Sequence, residues 1–130
     1  MDVTVTLCTR ETANHETNET TQSAGGDYAC ENNIHTLRFF LDGAHTAVVF
    51  DGSTVTVRRS DKDVFSELIF EPGKRRDGRY DTPYGSLPLA VYTEALDSVL
   101  TVFGHGKLHL VYRLYLADEE QSMRDMTITF

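Results

Sequence analysis

Runs of alternating apolar and polar residues, broken by turn-forming pairs, constrain this chain more than any other feature. The stretch Thr82-Pro83-Tyr84-Gly85-Ser86-Leu87-Pro88-Leu89 carries both halves of that signal. Its first four residues fit a type I turn, with proline second, where its φ is already set, and glycine fourth. The same grammar recurs. Ile34 to Leu41, Ala44 to Phe50 and Ser53 to Arg59 are β-branched and aromatic runs separated by Asp42-Gly43 and Asp51-Gly52. Asp-Gly between such runs is a strong hairpin signal, because both central residues of a type I′ turn need positive φ.

Other segments extend the pattern. Val3, Val5 and Leu7 alternate with Thr4, Thr6 and Cys8, so the chain opens on a half-buried strand. From Asp63 to Glu71, Val64, Ser66, Leu68 and Phe70 share one face, and Phe65, Glu67 and Ile69 share the other. Apolar groups on both faces mark a candidate central strand. Lys107 to Leu116 is the clearest strand, with Leu108, Leu110, Tyr112, Leu114 and Leu116 on one face; Met123 to Phe130 closes the chain with Met126, Ile128 and Phe130 aligned. Ser86 to Leu100 is ambiguous, since Leu89, Tyr92, Leu96 and Val99 also fit helical spacing, but the surrounding turn chemistry favours a strand. Pro72-Gly73 and Asp77-Gly78 read as further turns. Ala13 to Gly26 contains no large apolar residue, has nothing to bury, and is expected to be a mobile surface loop.

Short strands at near-regular spacing with almost no helix predict an all-β domain, and a meander of hairpins predicts an antiparallel sheet closed into a barrel rather than a Greek-key sandwich. With 130 residues, 40% of them hydrophobic, a single domain is expected over residues 1–130. The formal net charge of −8 repels nucleic-acid phosphates and anionic membrane surfaces, so neither is expected as a partner. Met1-Asp2-Val3-Thr4-Val5-Thr6 has neither the basic nor the apolar part of a secretory signal, and no apolar run could span a bilayer, so a cytoplasmic location is expected. Cys8 and Cys30 are then expected to be free thiols.

From roughly Thr54 onward the sequence resembles the YwiB-like family of small bacterial proteins of unknown function. The resemblance rests on Val55-Thr56-Val57-Arg58-Arg59-Ser60, on Leu68-Ile69-Phe70-Glu71-Pro72-Gly73-Lys74, on Tyr80 to Leu89 and on Leu110-Val111-Tyr112-Arg113-Leu114. The early strand Leu37-Arg38-Phe39-Phe40-Leu41 departs from the family pattern, as does Asp61 after Arg59-Ser60. The resemblance implies a calycin-like, lipocalin-type β-barrel and brings no established activity. It aligns the family's characteristic arginine with Arg59.

The residues themselves single out the same arginine. Arg59 has the parity of Val55 and Val57 and so points to the apolar side of its strand, whereas Arg58 points to solvent. An inward guanidinium can receive a ligand carboxylate, or it can pair structurally, with Glu67 for example. Tyr80, Tyr84, Tyr92, Tyr112 and Tyr115 could line a pocket mouth, although Tyr112 on the leucine face reads equally as core. Lys74, Arg75, Arg76 and Arg79 could hold an acidic partner or simply form a solvated edge. His105 and His109 lie about 13 Å apart on an extended strand, too far to share an ion, and no phosphate-binding glycine loop or catalytic constellation is present. No cofactor, metal site or catalytic residue is assigned.

Two readings follow. One is a non-enzymatic binding barrel that takes a small amphipathic or acidic ligand through Arg59, Tyr84, Tyr112 and Phe70, with Leu108, Leu110 and Leu114 as apolar wall. The other is a packed barrel that docks a protein partner through the basic hairpin 74–79, at Lys74, Arg75, Arg76 and Arg79, or through the 13–26 loop. An enzyme has the least support, and the sequence leaves the oligomeric state open.

Overall fold

A computed structural model describes residues 1–101 and 103–130. Ten antiparallel strands close into one barrel: β1 (Asp2–Ala13), β2 (Glu16–Glu31), β3 (Ile34–Leu41), β4 (Ala44–Phe50), β5 (Val55–Asp61), β6 (Val64–Phe70), β7 (Arg75–Thr82), β8 (Gly85–Leu100), β9 (Gly106–Leu116) and β10 (Glu119–Thr129). Each strand pairs with its neighbours in sequence, and β1 pairs with β10 to complete the ring. The fold is thus the closed antiparallel meander that the hairpin signals predict.

The hairpins at one end of the barrel are tight because their central residues accept positive φ. Asn14-His15, Asp42-Gly43 and Ala117-Asp118 all adopt it in pairs, as does Asn32-Asn33 at the other end. Thr82 pairs across to Gly85, and its hydroxyl accepts a hydrogen bond from the Tyr84 amide at 3.2 Å, so the Pro83-Tyr84 turn forms as read. Asp51-Gly52 does not make a two-residue hairpin. Asp51 instead accepts hydrogen bonds from the amides of Ser53 and Thr54, both at 2.9 Å, and holds a longer connection into β5.

Further readings of the sequence are corrected. Residues 13–26 are not a loop: Ala13 to Asp2 of β1 pair without interruption with Glu16 to Asp27 of β2. The segment lacks large side chains for reasons of position. Its inward residues are polar near the turn, at Thr20 and Gln22, and small further in, at Ala24 and Gly26. A Cβ on Gly26 would lie 2.7 Å from the Arg38 carbonyl oxygen, so bulk is excluded there. Asp77-Gly78 is not a turn either, since it lies within β7. A Cβ at Gly78 would sit 2.2 Å from the Glu67 carbonyl oxygen, where β6 and β7 end their pairing. The basic segment 74–79 is accordingly the start of a strand and not a hairpin.

The inward faces make one core: Val5, Tyr28, Leu37, Val48, Phe50, Val55, Phe70, Val91, Leu108, Leu110, Tyr112 and Ile128 are all buried. This core is not spread evenly along the axis. At the end carrying the chain termini, Tyr28 packs at a tilt against Phe130 with ring centroids 5.1 Å apart, and its hydroxyl reaches His35 Nδ1 at 2.6 Å and donates to the Thr101 carbonyl at 2.7 Å. That end is plugged. Ion pairs such as Arg10–Glu19, Arg58–Glu67 and Arg113–Glu94 lie on the outer face. No helix among the described residues is long and apolar enough to cross a membrane. Cys8 and Cys30 are free, and the partner of Cys8 in the register, Thr21, lies about 30 Å along β2 from Cys30.

Candidate functional site

The other end of the barrel is open, and a cavity of about 440 Å³ runs into it. Its apolar wall comes from Leu7, Phe39, Val57, Leu68, Phe70 and Leu114, each the inward member of an alternating strand. Nearer the mouth the inward positions turn polar, and strand register sorts them into two facing groups. Arg59 on β5 lies between Thr46 of β4 and Ser66 of β6, and Ser66 pairs in turn with Tyr80 of β7. All four line the cavity. Across the barrel, Arg124 on β10 lies between Glu11 of β1 and Tyr112 of β9. β5 and β10 stand five places apart in either direction round the ring of ten, so the two arginines face each other across the lumen.

The two arginines differ electrostatically. Arg124 is matched: its guanidinium lies 3.3 Å from a Glu11 carboxylate oxygen and donates to the Ser122 hydroxyl at 3.2 Å. Burial pushes the Tyr112 phenol above its ordinary range, and the adjacent Arg124 works against that shift. Arg59 has no carboxylate partner among the described residues. The structural pairing with Glu67 does not form, because Glu67 takes Arg58 on the outer face at 2.6 Å. Asp42, the other carboxylate at this mouth, receives a hydrogen bond from the Gln22 side chain. A charged donor therefore projects into a partly apolar cavity flanked by three hydroxyls, an arrangement suited to a carboxylate.

Three of the four residues read as ligand-binding, Arg59, Tyr112 and Phe70, line this one cavity. Phe70 and Tyr112 meet edge to face with centroids 4.7 Å apart and form its floor. Tyr84 does not line it. It sits at the tip of the β7–β8 turn, 99% exposed, on the lip of the open end. Glu11, Arg124, Thr46 and Ser66 went unassigned in the sequence, although parity marks them: Glu11 follows Val5 and Leu7, and Arg124 precedes Met126 and Ile128 at even spacing.

The basic segment is distributed differently. Lys74 and Arg76 both pair with Glu71, at 3.0 and 2.5 Å, Arg75 with Asp118 at 2.5 Å, and Arg79 with Asp81 at 2.6 Å. The Lys74 hydrogen bond, then that of Arg76, holds the Glu71 carboxyl below its usual range. Arg75 also covers the Tyr115 ring at 4.8 Å on the outside of the barrel. Every cation in the segment is thus locally neutralised. His109 is held by Asp125 at 2.6 Å on the outer surface, and no cluster of three or more metal-ligating side chains occurs among the described residues. A broader concavity of about 690 Å³ lies between Arg38, Phe40, His45 and Arg58 on the outer face of β3–β5. It is a shallow groove open to solvent, whereas the barrel mouth can surround a ligand.

Comparison with known proteins places this geometry in a family. A family model described as a domain of unknown function, DUF1934, matches residues 5–128. The chain belongs to that family. The match reaches back well before Thr54, where the resemblance in the sequence begins, and takes in β1 and β2. The crystal structure of the ywiB protein from Bacillus subtilis superposes with a TM-score of 0.86 at 21% identity, covering 98% of this chain and 89% of that one. A similarity at that identity speaks for the barrel alone. A search of curated proteins finds no match.

Proposed function

We propose that this DUF1934 member is a non-enzymatic binding barrel that takes one small amphipathic acid into its open end, with the carboxylate on Arg59 and the apolar body against Phe70, Leu68 and Leu114. The observation that carries the reading is Arg59 itself, a charged side chain in the cavity wall with three hydroxyls beside it and no carboxylate partner among the described residues. A cavity of about 440 Å³ falls within the range of small-ligand sites. The alternative, docking of a protein through Lys74, Arg75, Arg76 and Arg79, has less behind it, since each of those cations already faces a carboxylate of its own chain.

The test has two parts. Native mass spectrometry of gently purified protein is expected to reveal extra mass released on denaturation. Displacement of an apolar dye by decanoic acid is expected to be saturable, and Arg59→Ala should weaken the acid by about tenfold or more, the value of a charge-assisted hydrogen bond. Absence of any saturable uptake by the unaltered protein would overturn the reading.

A further inference from the structure

The wall opposite Arg59 specifies the far end of the ligand. Arg124 is the second cation of the lumen, yet Glu11 already lies against it at 3.3 Å, directly across the β1–β10 ladder. An anion arriving at this wall would meet the Glu11 carboxylate as well as the guanidinium, so the charge there is spent. Hydrogen-bonding capacity is not. Arg124 has five N–H donors, of which Glu11 and Ser122 occupy two, and the Tyr112 hydroxyl stands beside it in the register. Facing walls of a ten-stranded barrel stand about 15–20 Å apart, backbone to backbone, so a molecule anchored on one can reach the other.

We propose that the cavity selects a bipolar monoanion: a molecule with one carboxylate, held by Arg59, an apolar middle, and a neutral hydrogen-bonding group at its other end, held by Arg124 and Tyr112. Glu11 is the selectivity residue. It neutralises Arg124 and repels a second acid group, so an ω-hydroxy acid or similar neutral-tailed acid binds better than a dicarboxylic acid of the same length. The inference rests on the binding-barrel reading and goes one step beyond it.

Three probes decide the matter, each titrated against the full chain by dye displacement: decanoic acid, ω-hydroxydecanoic acid and decanedioic acid. The unaltered protein should bind the hydroxy acid tightest and the diacid weakest, with about a tenfold gap from the repulsion at Glu11. Glu11→Gln keeps the shape and removes the charge. It should reverse the order by freeing Arg124 for the second carboxylate, so that the diacid becomes the tightest of the three. Arg124→Gln gives an independent measurement: the advantage of the hydroxy acid over decanoic acid should disappear, and a preference that survives the loss of this guanidinium would overturn its role at the far end. Equal affinities for hydroxy acid and diacid in the unaltered protein, or an unchanged order in Glu11→Gln, would overturn the selectivity while leaving the barrel a binder. Failure of all three acids to bind would overturn both.

Discussion

Polar side chains serve this barrel in two ways, and Asp51 and Arg59 illustrate the difference. Asp51 is fully engaged. Its carboxylate accepts from the backbone of Thr54 and then of Ser53, and these bonds lower its pKa from 3.8 to about 2. Because the folded value lies below the unfolded one, the stabilisation is fully present above about pH 4 and is lost as the pH falls through about 2. Asp51→Ala should cost about 1 kcal/mol at neutral pH, as loss of a comparable capping side chain does. Urea midpoints of the two proteins should converge near pH 2; a gap that persists there would show that the carboxylate charge is not what matters. Arg59, by contrast, is disengaged within the fold. Arg59→Ala should therefore leave the thermal midpoint within about 2 °C of the parent, because a side chain without an ion pair has little to lose, and a large drop would reveal a hidden structural partner.

Among the elements, strands with large apolar inward residues were legible in the sequence, including β4, β5 and β6, which line the cavity, whereas the half of β2 beside the open end was not. β9 reads as a strand because Leu108, Leu110 and Tyr112 are buried against a full core, so their alternation is strong. β2 was unreadable over Glu16 to Gly26 for the opposite reason. Its inward residues face the cavity or a close backbone approach, and both call for small or polar groups. The missing hydrophobicity was itself a trace of the cavity. In β8 the difficulty was a bulge: the register shifts between Thr93 and Ala95, so Leu89, Val91 and Thr93 face inward on odd numbers and Leu96 and Leu100 on even ones. A change of parity in mid-strand imitates the helical spacing that made Ser86 to Leu100 ambiguous. Asp77-Gly78 misled in another way, since its glycine answers to the Glu67 carbonyl and not to a turn. The β9–β10 turn carries a correctable strain, with Ala117 at φ 51, where an alanine Cβ crowds the following carbonyl. Ala117→Asn should stabilise the protein by about 0.5–1 kcal/mol and raise the thermal midpoint by roughly 2–5 °C, because asparagine tolerates that conformation. No rise in a calorimetric scan would mean that the turn relaxes without help.

At the scale of the whole molecule, the barrel has a filled end and an empty one, and this asymmetry must appear in its dynamics. Around Tyr28, Phe50, Leu108 and Ile128 the strands are cemented by buried side chains, while around Glu11, Arg59 and Arg124 the same strands are held by backbone ladders with little packed between them. Local opening follows packing, so amides of Thr9 to Thr20 across the β1–β2 hairpin should exchange at lower free energy than those of Val5 or Leu110. A ligand in the mouth supplies the missing contacts at that end only. At a free concentration one hundred times its dissociation constant it would add about 2.7 kcal/mol to any opening that releases it. Hydrogen exchange with and without decanoic acid should therefore slow the rim halves of β1, β2 and β10 markedly. The plugged end should change less, since many of its openings leave the mouth intact. Uniform protection along every strand would mean that the barrel opens only as a unit; protection confined to the outer face of β3–β5 would move the binding site from the lumen to the groove at Phe40 and His45.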